Sequence, residues 1–134
     1  MTRRMPGVSI VIPTHNRSAS LQRLLGALCA QTYPLESVEV VIVADDCVDG
    51  TVEMLRHYEA PFPVVVFEQS DRSAAVARNR GASHAKARLL LFLDDDMEPL
   101  PNFIRAHADA HRQPGTVAMG YSMPMVQSRT AGEA

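Results

Sequence analysis

Arg88-Leu-Leu-Leu-Phe-Leu-Asp-Asp-Asp96 is the stretch on which the fold turns. The run Leu89–Leu93 is short, continuous and apolar, and charge bounds it on both sides. That is the pattern of a buried strand. Three carboxylates leave its end, and adjacent anions repel one another unless something positive joins them. In an extended segment residues i and i+2 point to the same side. Asp94 and Asp96 are therefore expected to face one site while Asp95 faces away. Hard divalent cations favour oxygen ligands, and Mg²⁺ is commonly held by one or two carboxylates plus substrate phosphates. The tripeptide reads as a metal–diphosphate site. The plain alternative is a solvated acidic turn before a helix at Pro101, because helix starts also attract Asp.

Outward from this strand, strand and helix patterns alternate. Val8–Ile12 is a short β-branched strand. A helix is predicted from Ser18 to Gln31, with Leu21, Leu24, Leu25 and Leu28 on one face and Ser18 as its N-cap. Tyr33-Pro34 stops it. Val38–Val43 reads as a second strand, Thr51–Tyr58 as a helix after Asp49-Gly50, and Pro63–Glu68 as a third strand. Ala74–Ala87 is an Ala-rich helix, Arg88–Leu93 the fourth strand and Pro101–Arg112 a helix. Thr116–Met119 reads as a fifth strand, and 121–134 as an extended arm or tail. Continuous Val/Ile/Leu strands alternating with helices predict an α/β fold with a mostly parallel sheet covered on both faces. Ligands then bind beyond the carboxyl ends of the strands. Pro13–Arg17, Asp45-Asp46 and Asp94–Asp96 all fall at those ends.

The chain has 134 residues, which suits a single domain over 1–134. A net charge of -2 and the absence of Trp argue against a nucleic-acid partner. Cys29 and Cys47 lie in no CxxC or Cys/His cluster and read as free thiols of a reducing compartment. His107 and His111 have i, i+4 spacing but no HExxH pattern, and read as a polar helix face. The apolar run after the basic start spans Val8 to Ile12, too short for a signal-peptide core. No run approaches the roughly 18 residues of a membrane span. The expected setting is cytoplasmic.

Five ordered motifs resemble the family 2 glycosyltransferases of GT-A fold. Val8–Arg17 resembles an opening strand with its "PTYNR" loop, and Gln31-Thr-Tyr-Pro34 resembles "QTYP". Val40–Thr51 is similar to "VIVVDDGSTDGT", Ala77-Arg-Asn-Arg-Gly81 to "ARNRG", and Phe92–Asp96 to the "FLDDD" that carries a DXD metal motif. The resemblance covers roughly residues 8–120. It implies a Rossmann-like GT-A three-layer sandwich, incomplete at its C-terminal end, and a metal-dependent, inverting transfer from a nucleotide-diphosphate sugar. It implies a nucleoside pocket lined by Pro13, Thr14, Asn16 and Arg17, with Asp45 for the base, Arg78 for phosphate or a base carbonyl, and Asp94 and Asp95 for ribose. Asp96, with Asp94 beside it, would bind Mn²⁺ or Mg²⁺. A UDP-sugar is the favoured donor, and the acceptor is a glycan, lipid or small molecule. Aligned without gaps, Ala44 takes the place of the family's first Asp and Asp45 the second; with a one-residue gap Asp45 is the first.

Asp71 and Arg72 read as a helix cap, Arg80 as surface, and Gly81 as a point of close helix–sheet packing. No carboxylate after Asp96 matches the family's general base, since Glu98 is too near the metal motif, Asp109 lies on an outer helix and Glu133 is in the tail. The chain alone is thus either a glycosyltransferase donor half or a catalytically silent nucleotide-sugar-binding module. An exposed edge near Thr116–Met119 would invite homo-oligomers. A receiver-like regulatory domain shares the α/β pattern, but the lysine it needs late in the chain is missing, as Lys86 is the only Lys.

Overall fold

The alternating pattern folds as a four-stranded parallel sheet between helices. The structure, a computed structural model, describes residues 7–111. Strand β1 (Val8–Thr14) lies at the centre, buried along its whole length. It pairs in parallel with β2 (Val38–Asp45) on one side and β4 (Leu89–Phe92) on the other, and β3 (Val64–Gln69) pairs in parallel with β2. The order is β3-β2-β1-β4. Ile10–Ile12 of β1 and Val40–Ala44 of β2 read as unbroken apolar runs because both faces of these strands are covered. β3 and β4 are the edges among the described residues, and both are partly exposed.

Alternation along the strands sorts the side chains into two layers. Val8, Ile10 and Ile12 of β1 and Val40 and Ile42 of β2 join one core cluster. That cluster contains Leu21, Leu24, Leu25 and Leu28 of α1 (Ser18–Cys29), Leu55 of α2 (Thr51–Arg56) and Ile104 of α4 (Phe103–Ala110). Helix α3 (Ala74–His84) covers the opposite face. There a Cβ on Gly81 would overlap the Val11 Cγ1 methyl and touch Val43 Cγ2 at 3.4 Å, so glycine sets the approach of α3 to the sheet.

Gln31 explains why a polar residue follows α1. It is buried, its Nε2 donates to Leu100 O at 2.7 Å, and its Oε1 accepts from Ile104 N–H at 2.9 Å. One amide thus satisfies groups at the entry to α4 that would otherwise lack partners. Tyr33, 1 % exposed, fills the space beside it under the Arg105 guanidinium.

Helices α1, α2 and α3 end two or three residues before the predicted limits, at Cys29, Arg56 and His84, and α4 is two residues shorter at each end. Arg17, not Ser18, is the N-cap of α1; Ser18 N–H donates instead to the Asp49 carboxylate at 3.2 Å. Ser73, not Asp71 or Arg72, caps α3, its Oγ accepting from Val76 N–H at 3.2 Å. The predicted strand at Thr116–Met119 and the arm at 121–134 lie outside the described residues.

Candidate functional site

The carboxyl ends of the strands open into one cleft of about 490 Å³. Its walls come from three connections. The end of β1 and the turn after it supply Pro13, Thr14, His15 and Arg17. The loop after β3 and the start of α3 supply Arg72, Ser73, Ala74, Ala77 and Arg78. The segment after β4 supplies Asp94, Asp95 and Asp96, and Asp45 at the end of β2 completes the floor. Three non-glycine residues of the described chain have positive φ: Asn16 at 50°, Asp46 at 56° and Arg72 at 51°. All three sit in loops on this edge. Asn and Asp enter the left-handed region more readily than other residues with a Cβ, so Arg72 is the one of the three whose conformation its partners must impose.

The acidic triplet is held at several points. Strand β4 ends at Phe92, and the chain then turns, with Met97 N–H donating to Asp94 O at 3.2 Å. Burial still alternates, with Asp94 and Asp96 exposed and Asp95 buried. Asp95 nevertheless stays in the cleft wall, contrary to the expectation that it faces away. Its Oδ2 accepts from the buried Thr14 hydroxyl at 2.9 Å, and its Oδ1 lies 3.5 Å from Arg17 Nη1. The turn after Phe92 breaks the strict i, i+2 geometry and rolls Asp95 toward β1. Arg17 Nη1 also reaches Asp96 at 3.4 Å, and Arg78 Nη2 donates to Asp94 at 3.0 Å. Each member of the triplet therefore has a positive partner, which answers the repulsion set up by the sequence.

Asp45 behaves differently. Its Oδ1 accepts from Asp71 N–H at 3.0 Å and Arg72 N–H at 2.9 Å, and its Oδ2 from Ser73 N–H at 2.7 Å and Gln69 Nε2 at 3.3 Å. Burial pushes its carboxyl up, but those N–H donors outweigh burial and leave it below the usual carboxylate range. Asn16 is absent from the cleft wall. Its Oδ1 accepts from Val48 N–H at 2.7 Å, bracing the turn after β1 against the turn after β2. Cys47 shares that brace, its thiol lying 3.6 Å from Thr14 O, and both cysteines are free. Asp49 joins α1 to α2 by accepting from Ser18 N–H and Thr51 N–H. Arg80 lies outside the cleft, over the Phe67 ring and donating to Glu68 O.

His15, Ser73, Ala74 and Ala77 line the cleft without a role expected from the sequence, and Arg72, read there as part of a helix cap, lines it too. Ser73 carried a usable signal, a serine just before an Ala-rich helix. Arg72 carried none, because its place depends on Asp45 some 27 residues earlier. Glu98 pairs with Arg23, and neither it nor Asp109 lines the cleft.

A parallel α/β sheet with an acidic, arginine-lined cleft at its carboxyl edge belongs to the open α/β class, in which ligands bind beyond the strand ends. Residues 9–131 match the family described as Glycosyl transferase family 2, and the chain belongs to that family. It is 41% identical over 115 residues to the validoxylamine A glucosyltransferase of Streptomyces hygroscopicus subsp. jinggangensis, covering 84% of this chain and 27% of that protein. It is 34% identical over 101 residues to the glycosyltransferase AglE of Haloferax volcanii, covering 74% and 33%. Among solved structures it resembles S. aureus TarS in complex with UDP, with a TM-score of 0.69 and 25% identity over 78% of this chain and 32% of that one. It also resembles the mannosyltransferase PcManGT of Pyrobaculum calidifontis in complex with GDP-Man and Mn²⁺, with a TM-score of 0.70 and 26% identity over 83% and 34%. The chain thus spans about a quarter to a third of the length of these two curated relatives. No helix among the described residues is long and apolar enough to cross a membrane.

Proposed function

We propose that the cleft binds the nucleoside diphosphate of a nucleotide-sugar donor with a divalent cation, as the donor site of an inverting family 2 glycosyltransferase. The observation that carries this is the meeting of Asp94, Asp95 and Asp96 with Arg17 and Arg78 at one sheet edge. Thr14, Pro13 and Arg17 form the nucleoside side of the cleft, and Asp95, fixed by Thr14, offers a rigid acceptor toward ribose. Arg78 is placed to move from Asp94 to a phosphate oxygen, since its planar fork suits both.

The donor set fits a hard cation. Asp94 and Asp96 are both about half exposed and open to the cleft. No group of three or more His, Cys, Asp or Glu among the described residues is arranged to hold an ion alone. Two carboxylates whose remaining ligands come from phosphate and water match the usual mode of Mg²⁺ binding. The bound cation would supply Lewis-acid stabilisation of the leaving diphosphate. Asp96 is the principal ligand on this account, with Asp94 beside it once Arg78 turns to phosphate. The UDP and the GDP-Man–Mn²⁺ complexes of the two structural relatives support the class of donor and the use of a metal. UDP-sugars are the favoured donors, and the acceptor is a glycan, lipid or small molecule.

A binding module that leaves transfer to other parts is the second possibility. It is favoured by the cleft wall, whose carboxylates among the described residues are Asp45 and Asp94 to Asp96, none of them matching an acceptor-side base. Calorimetry with a panel of nucleoside diphosphates, with and without Mn²⁺, tests the shared claim. Sub-millimolar binding of at least one, strengthened by the metal, is expected. Asp96→Asn should keep the fold and remove the metal-dependent part of the affinity. Equal metal–nucleotide affinity in the two proteins would remove Asp96 from the metal site.

A further inference from the structure

Asp45 lines the floor of the cleft, but its carboxylate is already taken up by protein donors. A carboxylate offers about four lone-pair positions. Asp71, Arg72 and Ser73 fill three with consecutive backbone N–H groups, and Gln69 fills the fourth. Asp45 is 5% exposed, so water scarcely competes for these bonds. Successive N–H groups converging on an anion form a nest, here closed by the chain's own side chain. The sheet register makes this possible. Asp45 lies opposite Gln69, and Asp46 N–H donates to Gln69 O at 2.7 Å, so β2 and β3 end together and the loop must fold back over Asp45. Within that loop Arg72 is left-handed, at φ 51°. A long side chain does not choose that conformation, which persists only where the surroundings impose it.

We propose that Asp45 is a positioning residue: it holds the 70–73 loop in the shape that lets Arg72, Ser73 and Arg78 line the donor cleft, and it acts on the nucleotide through that loop and not by accepting from the base. The loop is the lever because Ser73 caps α3, and α3 carries Ala77 and Arg78 to the cleft. A base N–H could reach Asp45 only by displacing one of four donors already in place. The inference rests on the donor-site proposal for its effect on ligands, but the anchor itself is a property of the free protein.

The test uses the 134-residue chain and Asp45→Asn. Hydrogen exchange of the amides of Asp71, Arg72 and Ser73 is followed without ligand, and binding of UDP and of inorganic pyrophosphate is measured with Mn²⁺. Loss of a charged acceptor is expected to speed exchange at those amides about tenfold or more. It should also weaken UDP and the base-free pyrophosphate by similar factors. In wild type, the three amides should stay protected when UDP binds. Three results would overturn the proposal: unchanged exchange in Asp45→Asn, a loss confined to UDP with pyrophosphate unaffected, or deprotection of these amides when wild type binds UDP. The wild-type arm decides even if the variant does not fold. Should wild type bind neither ligand, the donor-site proposal fails, while exchange in the free proteins still decides the anchor.

Discussion

Arg78 and Asp45 both line the cleft and show two ways in which charge is used there. Arg78 is about two-fifths exposed and holds Asp94 through a single bond. An exposed pair of this kind contributes little to stability, so Arg78→Ala should leave the unfolding midpoint nearly unchanged. If its fork moves to phosphate, the same change should weaken nucleotide binding by about 1–3 kcal/mol. Calorimetry on the folded variant checks this, and unchanged affinity would leave Arg78 as a surface arginine. Asp45 and Asp49 are instead tied to backbone N–H groups, and both carboxyls are held below the usual range. For Asp49 the Thr51 hydroxyl does most, against the cost of burial; for Asp45 burial is outweighed by the N–H donors of Arg72 and Ser73 with Gln69 and Asp71. A carboxyl whose folded pKa is depressed adds stability that is present above its unfolded pKa, near 4, and is lost as pH falls through the folded value. Urea midpoints should therefore hold from about pH 6 to pH 4 and fall below that. Asp45→Asn should be less stable at pH 6 and fall less steeply in acid; an identical acid slope would detach Asp45 from the effect.

At the scale of elements, the contact between α3 and the sheet is the most exacting. Gly81→Ala removes the propensity cost of a helical glycine, a gain of about 1 kcal/mol. The new methyl meets Val11 Cγ1 on the central strand, and β-branched Val has little rotamer freedom to yield. Overpacking of this sort costs about 1–3 kcal/mol, and the rigid site puts Val11 near the top of that range. A net loss of about 2 kcal/mol is expected in a denaturant titration, with faster exchange along α3; a gain in stability would mean that α3 slides freely on the sheet. The close contact was legible in the sequence, from a glycine inside an otherwise helical run. So were the strands, because burial on both faces leaves Val40–Val43 and Ile10–Ile12 with no polar residue to misread, and so was the buried stripe Leu21, Leu24, Leu25, Leu28. The C-terminal ends of helices were not, since α1, α2 and α3 stop at Cys29, Arg56 and His84, short of the expected Gln31, Tyr58 and Ala87. Nor was the state of Asp45. Its position at the end of β2 could be read, but its four donors come from residues 69–73, and only the folded loop brings them there.

For the molecule as a whole, the carboxylates that line the cleft among the described residues are all committed to other partners or assigned above to the proposed donor site. The carboxylates that line it are Asp45, Asp94, Asp95 and Asp96. Asp45 is saturated by N–H donors, Asp95 is bound by Thr14 and Arg17, and Asp94 and Asp96 are the proposed metal ligands. An inverting transfer needs a base within about 3 Å of the acceptor hydroxyl proton, directly or through one water. A carboxylate committed to a cation or to backbone N–H groups is a poor base, because its free lone pairs and its proton affinity are both spent. Slow hydrolysis of the donor needs only water and the cation, so it is compatible with this cleft. The 134-residue chain is therefore expected to bind donor nucleotide and to release sugar to water slowly, without glycosylating added acceptors at rates on the order of 1 per second. Chromatography of UDP-sugar reactions, run with and without a panel of glycan, lipid and small-molecule acceptors, separates hydrolysis from transfer. Acceptor-dependent turnover near that rate would mean that a base works from outside the wall described above, and Asp109→Asn would be the first variant to make.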